Sequence, residues 1–257
     1  MPAPDFTLQA YADLLRAAID SGYRFRRFSE RNDEGSSPVC LLRHDIDAEL
    51  LGCASMLDVE KRAGVTATYF LMIRSTAYNL FCPEAREAVA RILQDGHEIG
   101  LHFMGEGFKS ADRARLISEV LRESQLLEHE FGTKVSAVSF HQPSSWILSA
   151  ELQIDNLTNT YSRGQMGNFF YVSDTNMQWK QQHPMEIFRR RLHSKLQLLV
   201  HPIWWTQGAM ALVDKWANVL GRNSRAVVDH WLARERSLAG LSADDVLFRD
   251  TTPRDRQ

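Results

Sequence analysis

Residues 39–47 read VCLLRHDID, an apolar run that ends abruptly in charge. On an extended chain, residues two apart share a face. Arg43, Asp45 and Asp47 therefore point together, while His44 and Ile46 point away. Two carboxylates this close repel unless a cation separates them. A divalent ion on one and Arg43 beside the other would relieve the repulsion. Asp47 has a second reading, as the N-cap of a helix starting at Ala48. That reading leaves an inward Asp45 unexplained.

The same boundary recurs along the chain. His102 follows EIGL, His141 follows VSAVSF, Asp174 follows FFYVS and His201 follows LQLLV. Strands are expected at Val39–Leu42, Thr66–Ile73, Glu98–Leu101, Val135–Phe140, Leu157–Tyr161, Asn168–Val172 and Leu196–Val200. Helices are expected at 8–22 and near 48–63, 83–95, 110–130, 184–193, 209–221 and 224–238, with a loop over 31–38 and the least regular stretch at 142–168. Strand–helix alternation predicts an α/β fold of parallel strands with crossover helices. In a barrel, every strand brings its C-terminal end to one rim, where catalytic groups collect. His and Asp residues scattered through the sequence then become one cluster. His97 and His102 are five apart, so on a strand they face opposite ways and lie about 16 Å apart. His97 reads as structural and His102 as a rim residue.

Bulk properties are those of an ordinary soluble globular protein. The 257 residues are 44% apolar and 24% charged, with a net charge of -2. Near-neutral charge gives no electrostatic case for nucleic acid or an acidic membrane. Cys40, Cys53 and Cys82 form an odd set without a CxxC pair, which points away from a disulfide framework and towards a reducing compartment. The opening MPAPDFTLQAYADLLRAAID lacks a basic segment followed by an apolar one, and no apolar run reaches membrane-spanning length. A cytoplasmic location and a single domain over 1–257 are the expectations.

RHDID (43–47), ATYFLM (67–72), GHEIGLH (96–102), FHQPS (140–144), SDTNMQW (173–179) and LLVHP (198–202) together resemble the polysaccharide deacetylases. These are the NodB-homology, carbohydrate esterase family 4-like proteins, and the resemblance covers about residues 38–206, with C-terminal helices over 209–238 beyond it. It is nearest to a branch with HDxD and HPIWW motifs associated with bacterial surface-polysaccharide and O-antigen gene clusters. It implies a distorted (β/α)7 barrel and a metal-dependent hydrolase that removes an N-acyl group from an amino sugar, the sugar free, polymeric or nucleotide- or lipid-linked. The implied ion is zinc, with cobalt, manganese and iron(II) as alternatives. Asp45 corresponds to the catalytic base, Asp47 to the metal-binding Asp and His102 to the first metal His. Asp174 and Trp179 correspond to an Asp–Trp pair that orients the acid histidine, His201.

The pattern departs from the family at three places, the first being Asp47, displaced by one residue from the family's usual adjacent Asp–Asp pair. Glu106 stands where a second metal His is usual, and His141 stands where an Arg usually holds the catalytic Asp. Arg43 is a candidate to replace that cation. His141 is favoured over Glu106 as third ligand because it directly follows a strand. Two other classes stay open: a catalytically degenerate deacetylase-like protein that binds glycan or metal, and, behind it, a metal phosphoesterase. Trp204 and Trp205 suit a sugar-stacking wall and barrel–helix packing equally. Trp216 and Trp231 are expected in the core, and FRRRLH (188–193) as a solvated helix face.

Overall fold

The computed structural model describes residues 6–32, 35–48, 50–180 and 182–248. Residues 1–5 of the N-terminal segment, 33 and 34 of the expected loop and 49 of the second expected helix lie outside the described residues.

The chain begins with α1 (Leu8–Asp20), whose first turn is capped by the Thr7 hydroxyl accepting from the Ala10 N–H. A short β1 (Arg24–Arg26) follows, then β2 (Val39–Ile46), α2 (Cys53–Ala63), β3 (Thr68–Leu71) and α3 (Pro83–Gln94). Next come β4 (Glu98–Met104), α4 (Arg113–Phe131), β5 (Ala137–His141), α5 (Ser145–Ser149), β6 (Thr158–Asn159) and α6 (Arg163–Met166). The chain closes with β7 (Phe170–Ser173), α7 (Pro184–Arg190), β8 (Lys195–Val200), α8 (Leu212–Leu232) and α9 (Ala243–Leu247).

All strand pairs are parallel, in the order β6-β5-β4-β3-β2-β8-β7, with β1 beside the start of β2. Taken around a circle, β2 to β8 follow in chain order with one seam, between β6 and β7. This is a distorted (β/α)7 barrel. Its helices pack outside, over strand residues such as Leu42, Tyr69, Leu101 and Leu198. A second apolar cluster of Phe28, Leu41, Phe70, Ala137 and Met166 stands apart from that layer and includes inward positions of β2, β3 and β5. Gly100 makes room there, because a Cβ on it would lie 2.6 Å from the Phe70 ring.

Several expectations change. The first site strand continues through Ile46, so Asp45 lies within it. The next helix starts at Cys53 with Gly52 at its cap, so Asp47 is not a helix cap. The fifth expected strand shrinks to Thr158–Asn159. The two C-terminal helices are one, since Gly221 costs a helix only about 1 kcal/mol and does not break it. Trp216 and Trp231 are 36% and 55% exposed and do not belong to the core.

Candidate active site

Period-two alternation along β2 divides its polar residues between two environments. Outward, His44 lies 2.7 Å from Glu60 of α2. Inward, the Arg43 guanidinium donates Nε–H to Asp45 Oδ1 and Nη2–H to Oδ2, each at 2.7 Å. Arg43 also donates to Thr160 Oγ1 at 3.0 Å and to the Tyr161 hydroxyl at 2.9 Å. Burial opposes charge on Asp45, but Arg43 outweighs it and holds the carboxyl below its ordinary range.

Asp47, at the end of β2, meets residues from β4 and β5. Its Oδ1 lies 2.9 Å from His102 Nε2 and 3.1 Å from His141 Nδ1, and the two ring nitrogens are 3.3 Å apart. Burial again opposes charge, and the bonds to His102 and His141 reverse the balance, pulling the Asp47 carboxyl down. One ligand atom from each of the three lies within 4.8 Å of the others. Two imidazoles and a carboxylate form a donor set suited to Zn²⁺ with positions open for water or substrate. The second nitrogen of His102 is 2.6 Å from Ser139 Oγ, the kind of outer partner that fixes a ligating ring. The residues therefore fit a divalent ion.

His201 follows β8 across the mouth. Its Nδ1 lies 2.6 Å from Asp174 Oδ1, and its backbone N–H reaches both Asp174 oxygens at 3.1 and 3.0 Å. Burial lowers the imidazole pKa, but the Asp174 charge and hydrogen bond prevail and push it up to about 9. Trp205, not Trp179, donates its indole N–H to Asp174, at 2.9 Å. A 3₁₀ turn over Pro202–Trp204 folds Trp205 back onto that carboxylate. Trp179 instead packs against Phe6 and Trp205.

A cavity of about 630 Å³ opens over these groups; Asp45, Asp47, His102, His141 and His201 all line it, and so do Trp204 and Trp216. Of the two tryptophans considered for a sugar wall, only Trp204 faces this cavity; Trp205 packs on Phe6 and Tyr11. Trp216 joins the wall, which sequence reasoning missed because it expected this tryptophan in the core. Glu106 is exposed and outside the three-residue cluster. His97 is buried under the barrel and accepts the Ala67 N–H at 3.0 Å. Arg189 and Arg190 are exposed, and Arg190 pairs with Glu186 one turn away.

No protein-family model matches the chain, and no curated protein matches it. Solved structures similar to it include the deacetylase PplD of Streptococcus pyogenes in complex with acetate, at 14% identity over 73% of this chain and 87% of that one, TM-score 0.45. A family 4 carbohydrate esterase from Bacillus anthracis is 16% identical over 84% of this chain and 86% of that one, TM-score 0.40. A CE4 family pseudoenzyme from Bacillus anthracis is 13% identical over 73% of this chain, TM-score 0.43, and the present chain spans 60% of its length. The strand order and register above define the fold independently of these likenesses. Among the described residues, no helix is long and apolar enough to cross a membrane.

Proposed function

We propose that this chain is a metal-dependent hydrolase that removes an N-acyl group from an amino sugar. The observation that carries the reading is the convergence on one cavity of three differently prepared groups. These are a carboxylate locked to an arginine, a His–His–Asp cluster, and an imidazole held protonated by a buried carboxylate.

Asp47, His102 and His141 would hold the ion. When bound, it polarises the acyl carbonyl and makes water a better acid. Asp45, kept ionised by Arg43, takes the proton of the water whose oxygen bonds to the carbonyl carbon. Pro143 lines the cavity, and the backbone N–H that follows it is the donor assigned to the developing oxyanion. His201 presents Nε2 to the cavity because Nδ1 faces Asp174, and it delivers its proton to the amine nitrogen as the C–N bond breaks. The products are a carboxylate and a free amine. Amines leave poorly unprotonated, so a histidine that stays charged at neutral pH suits the step.

The degenerate reading rested on a missing arginine and a missing second histidine. The pairing of Arg43 with Asp45 and the approach of His141 to Asp47 and His102 support an active enzyme over that reading. Three ligands are too few for a two-ion phosphoesterase site. The HDxD and HPIWW motifs support a place in surface-polysaccharide assembly, O-antigen included, with zinc as the ion and a cytoplasmic, nucleotide- or lipid-linked sugar as substrate.

Paired variants test the assignment. Asp45→Asn is expected to keep bound metal at wild-type stoichiometry and lose roughly 10²–10⁴ in turnover of N-acetylated amino sugars. His141→Ala is expected to lose the metal itself, measured by elemental analysis. Near-normal turnover in the first variant removes Asp45 as base, and retained metal in the second removes His141 as ligand.

A further inference from the structure

Helix α8 is 21 residues long, yet its buried residues are only Lys215 and Val219. Its apolar side chains do not simply face solvent. Leu212, Trp216 and Leu220 line the reaction cavity. About two to three turns further on, Val227 and Trp231 line a second hollow of about 640 Å³, whose opposite wall is Leu50, Leu51 and Tyr78. The two hollows adjoin at Ala77, which lines both. Asn223 props the helix between them by donating to the Ala48 carbonyl at 3.0 Å. Together they make a track between α8 and the barrel rim, crossed by the hydrogen bond from Asn223 of the second hollow to Ala48 of the first. Both of its walls belong to this chain, so a second copy docking on the outer side of α8 would not fill it.

The track also leaves the cavity on a particular side. His201 follows β8, on one flank of β2, while Ala77 lies in the loop after β3, on the other flank. The amine departs towards His201. A substrate whose amine faces His201 would turn its acyl substituent away from that residue, to the side of the cavity that Ala77 lines. We propose that the N-acyl group removed here carries an aliphatic chain longer than acetyl, and that this chain lies in the track bounded by Leu51, Val227 and Trp231. The inference rests on the hydrolase reading and adds its acyl specificity. The hollow is lined by Leu50, Leu51, Val227 and Trp231 and also by Glu84, Asp229, His230 and Arg234, and hollows of this size with a mainly apolar surface are the usual receptors for such chains.

The product carboxylate provides a probe that does not depend on the sugar. Acetate, octanoate, dodecanoate and hexadecanoate are titrated calorimetrically into the zinc-loaded chain, because Val227 and Trp231 lie about 10 and 16 Å along α8 beyond Leu220, out of reach of the shortest chains. Affinity is expected to rise by up to about four-fold per added methylene that becomes buried. Val227→Asp and Trp231→Ser should each flatten the series. Octyl β-glucoside, which carries its chain on the sugar side and lacks the carboxylate, should show no zinc-dependent binding.

A flat series in zinc-loaded wild type overturns the proposal, as does a rising series that persists in both variants. So does zinc-dependent binding of the octyl glycoside, which would put the chain on the aglycone. Sedimentation as a dimer together with a flat series would assign the apolar face to a second copy. A chain that takes up no zinc at all removes the hydrolase reading and this inference with it, an outcome distinct from a flat series on a loaded site.

Discussion

Asp174 shows how one buried carboxylate can set the chemistry of a neighbour. Its oxygens receive the His201 ring, the His201 backbone and the Trp205 indole, all at 2.6–3.1 Å. Burial alone would make His201 neutral at pH 7; the charge beside it pushes its pKa up to about 9. The folded value thus lies above the ordinary imidazole value. The pair's contribution to stability is complete below that ordinary value and is lost as pH rises through about 9. In Asp174→Asn the burial persists without the charge, so the His201 pKa should fall by at least about 1–3 units. Proton-detected titration of the metal-free protein measures this, and the basic limb of the pH–rate profile should move the same way. An unchanged titration would mean that Asp174 does not control the acid. Sequence alone found Asp174 and His201 because each directly follows an apolar strand. It chose the wrong tryptophan because motif order favoured Trp179, whereas a 3₁₀ turn, a feature too short to leave a periodic signal, returns Trp205 to the carboxylate.

Strand β2 is positioned from its outer side by a polar knot within the helix layer. Glu60 of α2 accepts the hydroxyls of Tyr11 from α1 and Tyr69 from β3, and lies 2.7 Å from His44. Burial works against the Glu60 charge, but His44 prevails and keeps the carboxyl below its usual range. Its stabilisation is therefore present above the ordinary glutamate value and fades as pH falls through the folded one. Glu60→Ala leaves a histidine and two phenols buried without their acceptor, and is expected to cost about 3–5 kcal/mol in denaturant unfolding. A loss under about 1 kcal/mol would show that the knot relaxes around water. The elements themselves were legible where a period was long enough to count. The alternation of Arg43, His44 and Asp45 gave the correct faces, and the regular helices α2, α3 and α4 appear close to their expected places. Strand β1, at three residues, and α9, at five, fall below any readable period. The reading broke α8 at Gly221 because a glycine looks like an end when the packing that tolerates it is not visible.

Across the whole barrel, the weak place is the seam between β6 and β7, where no backbone ladder joins the described strands. Side chains close it from within. Arg43 reaches from β2 across the interior to Thr160 and Tyr161 beyond β6, and the Tyr161 ring meets Tyr171 of β7 edge-on at 6.3 Å. The guanidinium that keeps Asp45 ionised is thus also the strut that ties the first site strand to the seam. A double-mutant cycle separates these two roles. Arg43→Met removes the strut and leaves the Asp45 carboxylate buried without its cation, which should cost about 3–5 kcal/mol. Adding Asp45→Asn removes the stranded charge, so the double variant should be more stable than Arg43→Met alone, with a coupling of about 0.5–3 kcal/mol. The cost that remains in the double variant, after the charge is gone, measures the strut. If the two substitutions add within about 0.5 kcal/mol, the ion pair contributes no coupling and the whole cost of Arg43→Met belongs to the strut; a double variant as stable as Asp45→Asn alone would instead show that closure of the barrel owes nothing to Arg43.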